Sequence, residues 1–118
     1  MNPWLILALA GLLEIVWAAS MKASDGFTKI GPSVLTGVAA FLSFWLLGLA
    51  MKSLPLGTAY AVWVGIGALG AAVLGIAMFG EAATPLRLAG IALIAAGIAC
   101  LKLAQSSFSG SWPQFISE

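Results

Sequence analysis

The sequence predicts an all-α membrane protein, with four short transmembrane helices per subunit paired as an antiparallel, dual-topology homodimer. Three observations predict it. Of 118 residues, 62% are hydrophobic and only 8% are charged, with a mean hydropathy of +1.10, whereas a soluble domain carries about 25% charged residues. The apolar residues fall into four runs, at about 4–21, 34–51, 58–79 and 86–104. Each is near the ~20 residues that cross a ~30 Å hydrocarbon layer as a helix. Finally, the basic residues are almost balanced. Alternating runs put Lys22, Lys29 and Arg87 on one face and Lys52 and Lys102 on the other. That excess is too small for the positive-inside rule to enforce one orientation. Opposite insertions of one chain can then pair antiparallel.

The first run, Leu5–Met21, carries a single charged residue, Glu14, near its middle. Met1-Asn2-Pro3 brings no basic residue before it, so it reads as a retained helix and not a cleaved signal. The stretch Lys22–Pro32 holds lysines, an aspartate, glycines and a proline and reads as a loop. The second run carries Ser43 at mid-membrane depth, and Lys52–Gly57 breaks it from the third. The third run is rich in glycine and aromatic residues, and Gly80–Pro85 ends it. The fourth run is rich in alanine and glycine. Residues 1–104 thus form one four-helix transmembrane domain, and 105–118 a tail expected to be flexible. No run alternates with period two, which argues against a membrane β-barrel. Connections this short should leave sequence neighbours antiparallel.

Composition also excludes functions. The net charge of +1 gives no field for capturing nucleic acid. There is no histidine and one cysteine, so neither a disulfide framework nor a Cys/His metal cluster can be assembled. Cys100 reads as packing filler. No nucleophile–base pair suggests an enzyme, and no cofactor is implied.

The chemistry that remains centres on Glu14. A charge at that depth costs about 2.5–3.5 kcal/mol on insertion scales, so intramembrane carboxylates are functional by default. Glu14 shares a helix face with Leu7, Ala10, Gly11, Trp17, Ala18 and Met21. Several are small and leave room for a solute. Trp17 brings an N–H donor and a π face for a cation. Ser43 has two open fates: bonding a carbonyl of its own helix or donating to Glu14. Tyr60 and Trp63 are i,i+3 neighbours that, with Trp17, can wall a planar cation. Gly65 and Gly67 suit a hinge or, equally, close helix packing. On the fourth run Gly90, Leu93, Ile94 and Gly97 share a face and suggest a dimer seam. A carboxylate pulled one way by burial and the other by donor groups can exchange a proton for an organic cation near neutral pH.

At these residues the chain resembles the small multidrug resistance family of bacterial inner-membrane transporters, and within it the guanidinium-exporter subtype. The resemblance covers about residues 4–104. It rests on Gly11–Ala18 (GLLEIVWA), Gly26-Phe27-Thr28, Pro32-Ser33, Ser43, Leu54–Trp63 (LPLGTAYAVW), Gly65-Ile66-Gly67 and Leu101-Lys102-Leu103. It implies an antiparallel homodimer in which protons and a guanidinium-type cation compete for Glu14 of both subunits. It implies that Trp17, Ser43 and Trp63 hydrogen-bond the carboxylates, that Tyr60 lines and gates the site, and that Gly90, Leu93, Ile94 and Gly97 make the dimer contact. Val64 departs from the hydroxyl the subtype often carries there. Two rival readings remain: an exporter of hydrophobic quaternary or polyaromatic cations, and a proton-translocating proteolipid subunit.

Overall fold

The computed structural model describes residues 2–107. They form four helices: α1 (Pro3–Ala23), α2 (Ile30–Ala50), α3 (Leu56–Phe79) and α4 (Pro85–Ser107). All four are long and apolar enough to cross a membrane. At 21 to 24 residues each and a 1.5 Å rise per residue, they match the hydrocarbon thickness.

The helices begin earlier than the apolar runs suggest because proline opens three of them. Pro3 occupies the first turn of α1, and the Asn2 side chain accepts the Trp4 amide at 2.8 Å. α2 starts at Ile30, not near residue 34, with Pro32 inside its first turn, where a missing N–H leaves nothing unsatisfied. The expected loop therefore contracts to the residues between Ala23 and Ile30. There Ser24 is buried, donates to the Met21 carbonyl at 2.7 Å and accepts the Phe27 amide at 3.0 Å. The chain reverses through three left-handed residues, Asp25, Gly26 and Phe27.

α3 starts at Leu56 behind Pro55 and stops at left-handed Gly80, where the Glu81 amide reaches the Gly75 carbonyl at 3.0 Å. The left-handed glycine thus lets the chain turn back and satisfy an end carbonyl of the helix. Pro85 opens α4, and Thr84 Oγ1 accepts the Arg87 amide at 3.2 Å. α4 runs to Ser107, three residues past the end of its candidate membrane span, Pro85–Ala104. The rest of the expected tail, with Phe108, Trp112 and Phe115, lies outside the described residues.

α1 is the hub. It packs along α2 and α3, while α4 packs its backbone only on α3. The core is small: Leu7, Ala10, Leu47, Ala50, Leu54, Ala59, Val62 and Trp63. No residue of the α4 span is buried, and Cys100, expected as filler, is exposed. The sidedness read from helix alternation holds. Lys22, Phe79 and Arg87 line one cavity at one end of the bundle. At the other end, Lys102 Nζ sits 4.4 Å from the Trp4 ring centroid, a cation–π clasp between α4 and α1.

Candidate functional site

Glu14 lies on the face of α1 that meets α3, and its carboxylate fills the space a side chain would take at Gly67. The same seam interlocks above and below. Gly11 faces Ile66, where an added methyl would come within 2.5 Å of Cγ2, and Gly70 takes Ile15. Glycine on one helix thus receives a bulky group from the other at three successive levels. This is close-approach packing of the kind lipid-embedded helices use in place of a hydrophobic drive. Gly65 serves α4 instead, with an added methyl 2.7 Å from Ile98 Cδ1. In this structure Gly65 and Gly67 admit neighbouring helices within a continuous α3.

Ser43 is fully buried and takes neither of the two fates left open for it. Its hydroxyl donates across to the Ala10 carbonyl on α1 at 2.7 Å and accepts from Trp63 Nε1 at 2.9 Å. The bonds run from α3 through α2 to α1. Ala10 is four residues before Glu14, so its carbonyl is also the helical acceptor for the Glu14 amide. Ser43 thereby pins the backbone turn that carries the carboxylate.

The resemblance implies hydrogen bonds from Trp17, Ser43 and Trp63 to Glu14. Within this single chain these three make none. Trp63 and Ser43 bond as just described. Trp17 Nε1 and Glu14 Oε1 are the buried side-chain polar atoms without a partner among the described residues. Buried polar groups are otherwise almost always satisfied, so each such exception asks for an explanation. Here a donor and an acceptor, one turn apart on α1, are both left open.

Around these groups runs a ladder of aromatic rings. Tyr60 and Trp63 have centroids 5.6 Å apart, Trp63 and Phe44 5.7 Å, and Phe44 and Trp17 6.2 Å. Tyr60 and Trp63 are in contact, and Trp17 is linked to them through Phe44. Sequence reasoning misses Phe44, because a phenylalanine within an apolar run carries no signal of its own. Tyr60 remains 52% exposed in the single chain. Gly90, Leu93, Ile94 and Gly97 stand apart from this cluster on α4. Both glycines face open space, and Leu93 is 73% exposed.

Ser43→Ala is expected to destabilise the bundle. It strands Trp63 Nε1 without an acceptor, at a cost of about 1–3 kcal/mol. Thermal unfolding in detergent, with Trp63→Phe and the double variant completing the cycle, would measure the coupling. A Ser43→Ala protein as stable as wild type would contradict the bond's contribution.

The fold and site together define a polytopic α-helical membrane protein with an unpaired carboxylate inside its span. Residues 2–94 match the model of the family described as Small Multidrug Resistance protein. The chain is 59% identical over 100 residues to a protein of Escherichia coli (strain K12) named guanidinium exporter, covering 85% of this chain and 95% of that one. It is 56% identical over 101 residues to a guanidinium exporter of Yersinia pseudotuberculosis, covering 86% and 97%. The figure for the guanidinium exporter of Salmonella typhimurium is 55% over 100 residues, covering 85% and 95%. The chain belongs to the small multidrug resistance family, and with four spanning helices it is a multi-pass protein of the bacterial inner membrane.

Proposed function

We propose that this protein exports guanidinium and small guanidinyl cations in exchange for protons, by alternating access, with both ligands competing for Glu14. The observation that carries the proposal is Glu14 itself. Its carboxylate is packed on Gly67 inside the span, with one oxygen buried and unpaired. A planar guanidinium offers paired N–H donors to such a group, and the aromatic ladder offers it π faces. Relatives named guanidinium exporter at 55–59% identity support the substrate. The chemistry is transport and not catalysis.

The working unit is an antiparallel homodimer, with Glu14 of each subunit in a shared site. Four helices bury little by themselves. The open notches at Gly90 and Gly97, beside exposed Leu93 and Ile94, supply a seam of small residues for a second α4. Gly65 and Gly67 are the places where α3 bends between states, and Tyr60 gates the opening.

The test is direct. Guanidinium added to the detergent-solubilised protein should release protons, and its apparent affinity should fall as pH falls. Binding that is indifferent to pH and releases no protons would end the antiport reading. The length of the aromatic ladder favours a second reading, with bulkier quaternary or polyaromatic cations as cargo. Transport currents for guanidinium and tetrapropylammonium in reconstituted vesicles should differ strongly in favour of guanidinium.

A further inference from the structure

A cavity of about 290 Å³ opens at the membrane face that carries Lys22. Its walls include Ala18 and Lys22 of α1, Ala71 and Phe79 of α3, and Glu81 and Arg87 beyond them. Lys22 is in the last turn of α1, Phe79 ends α3, and Arg87 is in the first turn of α4. The polar rim therefore sits at headgroup level, with a floor of small apolar side chains below it. The cavity also continues the α1–α3 seam. Ala18 and Lys22 are one and two helical turns beyond Glu14, and Ala71 and Gly75 are one and two turns beyond Gly67.

The rim is not neutral. Arg87 Nη2 donates to Glu81 Oε1, and Nη1 donates to the Ala82 carbonyl at 3.3 Å. That pair cancels itself and leaves further guanidinium N–H groups unused. Lys22 forms no ion pair among the described residues, where the salt bridge is Glu81–Arg87. The rim thus carries a net positive charge. A lysine in the last turn of a helix complements the macrodipole. That accounts for its place on α1, and Glu81 accounts for the charge of Arg87 but not for its unused N–H groups on the same cavity.

We propose that this cavity binds the phosphate of an anionic phospholipid, held by Lys22 and the unused N–H groups of Arg87. Basic pockets between helices at the headgroup level suit such lipids. Charge-assisted bonds to phosphate are the strong ones. The proposal rests on the exporter reading for its consequence. A cation approaching Glu14 from the membrane face that carries Lys22 meets its charge, and a bound phosphate removes that repulsion. Anionic lipid then speeds guanidinium transport through a particular lysine.

Lipid retention tests the site without transport. Full-chain protein in detergent, examined by native mass spectrometry, should retain phosphatidylglycerol over phosphatidylcholine of the same acyl chains. Lys22→Gln should weaken that retention about five-fold, the effect of one basic residue near an anionic surface, and Lys22→Arg should restore it. Equal retention by wild type and Lys22→Gln overturns the proposal. So does displacement of the lipid by equimolar inorganic phosphate, which would make this a free-anion site. In vesicles, wild-type guanidinium transport should gain more from added phosphatidylglycerol than Lys22→Gln does. Equal gains would reflect surface potential alone and also overturn it. Loss of guanidinium transport in every lipid, with selective retention intact, would instead sink the exporter reading and leave the lipid site standing.

Discussion

Glu14→Gln is expected to abolish both guanidinium transport and guanidinium-linked proton release. The substitution keeps size and shape, so the seam with Gly67 should survive. What it removes is the charge. An amide cannot accept a proton in the same range, and it presents an N–H group toward a substrate made of N–H groups. Taking one partner from a buried charge pair costs about 2–5 kcal/mol, or roughly 30- to 5,000-fold in binding. In reconstituted liposomes, the variant should show no proton movement in response to a guanidinium gradient. Vigorous coupled exchange by Glu14→Gln would remove Glu14 from the site altogether. An acid with no part in transport would instead leave the variant as active as wild type.

Gly67→Ala should have the next largest effect, and for a different reason. A methyl group at residue 67 falls on the Glu14 carboxyl group and its adjoining carbon. The atoms it meets are the end of a flexible side chain and not a backbone, so the helices need not separate. The carboxylate moves instead. A displaced carboxylate loses its fit to guanidinium, and misplacement by about 1 Å can cost on the order of 100-fold. Helix stability does not suffer, since alanine exceeds glycine in helix propensity by about 1 kcal/mol. Normal expression and unfolding temperature with a collapsed affinity is the expected pattern. Gly65→Ala is the control, because its neighbour is Ile98 of α4 and not Glu14. If both alanine variants bind guanidinium alike, Gly67 does not position the carboxylate.

The two substitutions separate what a one-dimensional reading can and cannot see. Glycine at residue 67 was legible as a weak point of a helix, hence a hinge or a packing notch. Nothing in the spacing of Leu56–Phe79 says that the notch receives the acid from α1. Ser43 was legible as a polar group inside a span, but its partner was not. The bond to the Ala10 carbonyl depends on how α2 is rotated against α1. Phe44 escaped notice because a phenylalanine in an apolar run carries no periodic anomaly. It became visible only once α2 placed it between Trp17 and Trp63.

By itself the sequence determined the solvent, the number of spans, their alternation across the membrane and the one acid that could matter. These follow from local quantities: apolarity summed over about 20 residues, the placement of proline and glycine, and the cost of a charge in hydrocarbon. Helix ends were approximate because a proline reads as a breaker although the first turn tolerates it. Only the tertiary structure decided which glycines are filled by a neighbour and which stand open. Gly11, Gly67 and Gly70 are occupied across the α1–α3 seam, while Gly90 and Gly97 face empty space. The physical reason is rotational. A helix of nearly uniform apolarity has little amphipathic signal to set its azimuth, so interlocking shapes choose the face that turns inward.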